Sequence, residues 1–132
     1  MRLLILSDLH REVWREAPPH AQDLLVGLRS DLDRSLPGAV ILAGDIDVGA
    51  SAIVWADATF PLLPAIYVPA NHEAYGRKVD AANESLAREC AATGHIHFLD
   101  KGELDLDEVR FLGATLWTDF QLLGSEAYQD AL

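Results

Sequence analysis

The fold is decided at residues 39–45, which read Ala-Val-Ile-Leu-Ala-Gly-Asp. A short, uninterrupted apolar run of this kind is typical of a strand that is buried on both faces, as strands of parallel sheets are. We therefore predict a strand over residues 39–42. Asp45 then lies in the turn that follows the strand, bracketed by Gly44 and Gly49.

Two other apolar runs are followed by polar side chains in the same way. These side chains are Asp8 and His10 after residues 3–6, and Asn71, His72 and Glu73 after residues 65–68. Segments of helix length separate the three runs, so we predict parallel strands whose carboxyl ends meet at one crevice, where open α/β sheets bind ligands. Any one cluster alone is explained by turn or cap chemistry. Together, however, the carboxylates would repel one another unless a cation neutralised them.

The remaining pattern predicts an α/β fold: a mixed, largely parallel sheet with flanking helices. Helices are predicted over residues 22–36, from Ser51 as N-cap to residue 60, and from Val79 to a left-handed cap at Gly94. Residues 11–20 are predicted as a loop over the site, residues 95–99 as a strand, and residues 103–106 with 109–113 as a hairpin. A weak helix is predicted for the last dozen residues.

Composition limits the alternatives. At 132 residues the chain suits one domain or part of one. A net charge of -11 argues against a nucleic-acid or anionic-membrane partner, since both attract clustered Lys and Arg. The one cysteine, Cys90, excludes an internal disulfide and fits a reducing compartment. With no signal-like segment and no apolar stretch of membrane-spanning length, we expect a soluble, cytoplasmic protein without a membrane partner.

The three clusters, in this order and at these spacings, resemble the N-terminal motifs of the calcineurin-like metallophosphoesterases. Ala70 departs from the glycine that usually precedes the asparagine. The resemblance implies the N-terminal half of a four-layer α/β/β/α sandwich. It also implies site roles: Asp8 and His10 bind the first metal, Asp45 bridges both metals and Asn71 binds the second, while His72 is the catalytic histidine and Glu73 orients it.

The implied reaction is hydrolysis of phosphate mono- or diesters. Two divalent cations about 3.5–4 Å apart clamp the phosphoryl group and activate a hydroxide. Oxygen ligands with imidazole admit manganese, iron, zinc or magnesium, so the sequence does not choose the metal. The substrate stays open, because substrate specificity resides in loops rather than in the fold.

The family completes its site with a later histidine and a Gly-His-x-His motif. Gly94-His95-Ile96-His97 matches that string. In a strand parallel to the first three, however, His95 and His97 lie at the amino end, about 17 Å from the proposed metals. We therefore interpret the match as coincidental. No histidine follows His97, so residues 1–132 are predicted to form a single partial metallophosphoesterase domain that lacks its C-terminal half, binds one metal well at most and is poorly active.

Two alternatives remain open from the sequence. One is a catalytically weak or inactive module that binds metal or a partner. The other is self-association: 50% hydrophobic residues in a half-domain would leave apolar surface and strand edges for a second copy to cover.

Overall fold

The structure, a computed structural model, describes residues 1–15, 27 and 35–116. Its centre is a four-stranded sheet in the order β1-β2-β3-β4, and all three neighbouring pairs are parallel. The strands are β1 (Leu3–Leu6), β2 (Ala39–Ala43), β3 (Ala65–Val68) and β4 (Ile96–Phe98). Because the strands are parallel, the residues that follow β1, β2 and β3 lie along one edge of the sheet. The predicted α/β fold is confirmed.

Two helices, α2 (Ser51–Thr59) and α3 (Val79–Thr93), cover one face of this sheet. Alternate strand residues, such as Val40, Leu42 and Tyr67, point into the core between sheet and helices. The facing stripe of α3 is Ala82, Leu86 and Cys90, spaced by four residues as an amphipathic helix requires. α3 ends as predicted, at Gly94 in the left-handed conformation with φ 76°.

A separate antiparallel hairpin joins β5 (Gly102–Leu106) to β6 (Val109–Gly113). Asp107 and Glu108 both have positive φ, which is the backbone of the tight turn that favours a two-residue hairpin. The parallel and antiparallel strands that we expected in one mixed sheet thus belong to two sheets among the described residues.

Two local predictions are wrong. Residues 11–14 form a short helix, α1 (Arg11–Trp14), rather than a loop. Ser51 is the first helical residue of α2 and not its cap, which is Ala50. The predicted helix over residues 22–36 and the predicted weak helix at the end of the chain fall largely outside the described residues.

The other face of the sheet carries apolar side chains that the described part of the chain leaves accessible. On that face Ile5 in β1 is 62% exposed, and in the separate hairpin Leu112 of β6 is 77% exposed. Apolar surface of this kind is what the self-association hypothesis requires, and self-association stays a prediction. Within residues 1–15, 27 and 35–116, no helix is both long enough and apolar enough to cross a bilayer.

Cys90 offers a test of the core. Burial raises the pKa of its thiol to about 12, and the charge of Glu89 adds to the shift. We expect thiol reagents at pH 8 to label the folded chain slower than the urea-unfolded chain by on the order of a hundredfold. Since the unfolded thiol ionises first, this thiol's contribution to stability is constant below about pH 8 and declines above it. Equal labelling rates in the two states would show that α3 does not bury Cys90.

Candidate metal centre

The loops after β1 and β2 run side by side, held by three backbone hydrogen bonds. The amides of Asp8, His10 and Arg11 donate to the carbonyl oxygens of Gly44, Asp45 and Ile46 at 3.1, 2.9 and 3.0 Å. These bonds continue the pairing of β1 with β2 beyond the sheet edge. They bring Asp8 and His10 beside Asp45, although 37 residues separate Asp8 from Asp45 in the sequence.

The three residues at this edge share an uncommon backbone conformation. Asp8, His10 and Asp45 have φ of 53°, 45° and 54°, in the left-handed region that side chains other than glycine rarely adopt. Such conformations cost on the order of 1–3 kcal/mol each and concentrate at functional sites. Here each of them belongs to a residue that the sequence assigned to the metal.

Donor atoms of Asp8, His10 and Asp45 lie within 4.8 Å of one another. Two carboxylates and one imidazole at that spacing suit a divalent cation, which would also relieve the repulsion between the two negative charges. The donor set therefore fits the metal that the sequence predicts. These ligand types are compatible with manganese, iron, zinc or magnesium.

Glu73 anchors the loops of β2 and β3 to each other. Its carboxylate is 1% exposed and accepts four hydrogen bonds. The donors are the amides of Asp45 at 3.2 Å, Ile46 at 3.0 Å and Ala70 at 2.9 Å, and the Tyr67 hydroxyl at 2.7 Å. These bonds occupy both carboxylate oxygens. The described hydrogen bonds of Glu73 thus hold the loop that carries Asp45 and do not include the His72 ring, contrary to the role expected from the sequence.

His72 lies in the 3-10 turn after β3 (His72–Ala74), and its backbone amide donates to Asp45 Oδ1 at 3.0 Å. Its ring Nδ1 is 2.8 Å from Glu12 Oε1 and 3.2 Å from His10 Nδ1. Its Nε2 is 2.8 Å from the Tyr75 hydroxyl. The carboxylate that faces the His72 ring is therefore Glu12, a residue that the sequence pattern does not identify as functional.

Glu12 reaches His72 from α1. Burial acts to raise the pKa of Glu12, but hydrogen bonds from its own backbone amide and from the His72 and His10 rings outweigh burial, so this pKa lies below its ordinary value. Glu12 is consequently a carboxylate at neutral pH. The one sequence signal for it was its position two residues after His10, which becomes informative only when residues 11–14 are helical.

Asn71 lies at the same edge, directly after the turn that closes β3. Its side chain is exposed, and Nδ2 is 3.5 Å from the Tyr75 hydroxyl. The amide therefore stands beside the Tyr75 and His72 pair. Its assignment to a metal stays a prediction.

Gly44 and Ala70 are in close contact where the loops of β2 and β3 pass each other. A Cβ at Gly44 would lie 2.5 Å from the Ala70 Cβ, and Gly44 has φ 81°. Only glycine meets both requirements. The alanine at position 70 is accommodated because position 44 has no side chain.

His95 and His97 do not join this centre. β4 is parallel to β3, with Ala65 paired to Ile96, so both histidines lie at the amino end of the sheet. His95 Nε2 is instead 3.6 Å from Asp57 in α2. The predicted position of His95 and His97 at the amino end of a parallel strand is confirmed by this geometry, and the interpretation of Gly94-His95-Ile96-His97 as a coincidental match stays a prediction.

Asp47 fixes α1 over the site. Its carboxylate is fully buried and pairs with Arg11 at 3.0 Å and with Arg15, while the Val48 amide donates to it at 2.7 Å. The Arg11 guanidinium also lies over the Trp55 ring, 4.8 Å from its centroid. These contacts set the position of the helix from which Glu12 reaches His72.

Replacing Asp47 by asparagine should lower the free energy of unfolding by about 2 kcal/mol. The loss stays below that of a fully buried pair because the Arg15 side chain is 50% exposed and can return to water. Urea unfolding measures it. Asp105→Asn, which disrupts the exposed pair with Arg110, is the control and should leave the midpoint unchanged. Equal midpoints for both variants would contradict an anchoring role for Asp47.

The fold of this chain is also found in a protein of known structure. No family model matches the chain. The chain is similar in structure to a phosphopantetheinyl hydrolase, PptH, of Mycobacterium tuberculosis, with a TM-score of 0.61 and 19% identity over 90% of this chain and 44% of that one. At this identity, what the two share is the fold.

Two further matches are weaker. The nuclease MPE of Pseudomonas putida aligns with a TM-score of 0.47 and 16% identity, over 80% of this chain and 50% of that one. In sequence, an uncharacterized protein of Acanthamoeba polyphaga mimivirus, L509, is 34% identical over 58 residues, which is 40% of this chain and 21% of that protein. The matched part of the chain thus spans half or less of the length of each of these three proteins.

Proposed function

We propose that this chain is the N-terminal half of a metal-dependent phosphoesterase of the calcineurin-like type. The observation that carries the proposal is the convergence of Asp8, His10 and Asp45 donor atoms within 4.8 Å of one another at the carboxyl edge of a parallel sheet. The fold shared with PptH supports it. Divalent metal-dependent hydrolysis is the chemistry that this edge suits best.

In this proposal Asp8, His10, Asp45 and Asn71 hold the metal ions. When bound, divalent cations supply Lewis acidity toward a phosphoryl oxygen and lower the pKa of water. The backbone hydrogen bonds between the two loops keep the donor atoms of Asp8, His10 and Asp45 together before any ion arrives. Glu73 keeps the Asp45 loop in register with the β3 loop through its four hydrogen bonds.

His72 contacts the substrate in this scheme. Its Nδ1 is directed to Glu12, so Nε2 is the nitrogen that remains for a phosphate oxygen or a leaving-group oxygen. In this structure the Tyr75 hydroxyl is hydrogen-bonded to Nε2. Tyr75 is 51% exposed, so its side chain can move aside when a substrate approaches. Glu12 acts as a positioning residue that fixes which His72 nitrogen faces the substrate.

The test is hydrolysis of p-nitrophenyl phosphate and bis(p-nitrophenyl) phosphate by the chain, first treated with EDTA and then supplied with Mn²⁺, Fe²⁺, Zn²⁺ or Mg²⁺. Slow turnover that requires an added metal is the expected result. The absence of turnover with every metal, in a chain that still binds one, would favour the alternative of a catalytically inactive metal-binding module.

A further inference from the structure

We propose that His10, Glu12 and His72 form a second cation site, which shares His10 with the group of Asp8, His10 and Asp45 but has its own Glu12 and His72. This site would take a zinc-class ion, with two imidazole nitrogens and one carboxylate oxygen as its ligands. The inference stands whether or not the chain hydrolyses phosphate esters, because it concerns metal binding alone.

The first argument is the spacing of the three donor atoms. His10 Nδ1 lies 3.4 Å from Glu12 Oε1, and Glu12 Oε1 lies 2.8 Å from His72 Nδ1. The two Nδ1 atoms are 3.2 Å apart. Ligand atoms that bind one zinc ion at about 2.0–2.1 Å stand roughly 3.0–3.4 Å from one another. Two sides of the triangle therefore have the dimensions of one face of a coordination sphere, and the side between Glu12 and His72 is slightly shorter than that. Such a face leaves further positions to water.

The second argument is that hydrogen bonds alone leave one unfavourable contact in this group. When both rings donate to Glu12, their N–H groups face each other across the 3.2 Å between His10 Nδ1 and His72 Nδ1. Glu12 Oε2 is also buried without a hydrogen-bond partner in the described part of the chain. A cation in place of these protons would bind all three donor atoms at once and release the protons on binding.

The third argument is the chemistry and access of the donor set. Two histidines with one glutamate are a set that zinc uses with a further position open, whereas the carboxylate-rich group at Asp8 and Asp45 suits harder ions. The three side chains are also accessible to an entering ion, with exposures of 31%, 20% and 21% for His10, Glu12 and His72. The anchoring of α1 by Asp47 holds Glu12 within reach.

The experiment uses the Asp8→Asn chain, in which the other group is disabled while His10, Glu12 and His72 are intact. Zn²⁺ binding is measured by titration calorimetry, and Co²⁺ alone is used as a spectroscopic probe of nitrogen ligation. We expect Asp8→Asn to bind one equivalent of Zn²⁺. Adding Glu12→Gln, or in a separate chain His72→Gln, should weaken that binding at least tenfold and remove the visible Co²⁺ bands.

The control is Glu84→Gln in the same background, a change on the exposed face of α3 that should leave Zn²⁺ binding unaltered. Circular dichroism checks that each variant is folded. Loss of all Zn²⁺ binding in folded Asp8→Asn would show one composite site and overturn the proposal. Binding that survives both Glu12→Gln and His72→Gln would overturn it as well. Failure of the esterase assay leaves these readouts unaffected, so the two proposals fail separately.

Discussion

Asp45→Asn is expected to reduce metal-dependent hydrolysis of phosphate esters by at least about a hundredfold, since it removes a carboxylate that binds the metal directly. The substitution is nearly isosteric and preserves the fold for two reasons. Asparagine keeps an oxygen to accept the hydrogen bond from the His72 amide, now made to Asp45 Oδ1 at 3.0 Å. It also tolerates the left-handed backbone, φ 54°, better than most residues do.

The measurement is the rate of p-nitrophenyl ester hydrolysis against Mn²⁺ concentration. Asp107→Asn is the matched control: it makes the same substitution at a residue with φ 48° in the hairpin turn, away from the site, and should leave the rate unchanged. An Asp45→Asn chain that keeps half of the activity, or that binds Mn²⁺ as before, would remove Asp45 from the metal centre.

Glu73→Gln should have the largest effect on stability, a loss of about 3 kcal/mol in the free energy of unfolding. The carboxylate accepts four hydrogen bonds, from three backbone amides and the Tyr67 hydroxyl. Glutamine has the same size, but its NH₂ group would face two of these donors, whichever way the amide turns. Buried donors would then lose their acceptor, and the loop that carries Asp45 would lose its anchor.

Urea unfolding of Glu73→Gln beside Glu84→Gln measures this loss. Glu84 is exposed on α3, so its variant should unfold at the wild-type midpoint. Tyr67→Phe, which removes one of the four donors, should cost about 1 kcal/mol. It should also lower the additional cost of Glu73→Gln, because the two changes share one hydrogen bond. An unshifted midpoint for Glu73→Gln would mean that water, rather than these amides, satisfies the carboxylate.

Much of the fold could be predicted because its signals are local. The apolar runs before Asp8, Asp45 and Asn71 marked three strands, and helix-length gaps between them required parallel pairing. Gly94 marked the end of a helix, and residues 107–108 marked the turn of the hairpin. Ser51 was misjudged by one position, because the helix begins at Ser51 itself and its cap is Ala50, which carries no side-chain signal.

For the site, the sequence predicted which residues lie close together at the ends of the strands, but not the contacts that their side chains make. Parallel pairing brings Asp8, His10 and Asp45 to one edge whatever the loops do, so their proximity followed from the order of strands. Which carboxylate would contact His72 did not follow. Glu12 is 60 residues from His72 in the sequence, and it arrives only because residues 11–14 become helical and Asp47 holds that helix through Arg11 and Arg15.

The sequence by itself therefore determined the parallel sheet and the edge at which its polar residues gather, because hydrophobic periodicity and strand-end chemistry are written in neighbouring residues. Tertiary structure decided the partners of each side chain at that edge. Glu73 accepts from backbone amides rather than orienting His72, and Glu12 faces His72 in its place. The physical reason is that left-handed residues at positions 8, 10 and 45 turn the loops, and loop conformations of this kind depend on long-range hydrogen bonds that no local pattern encodes.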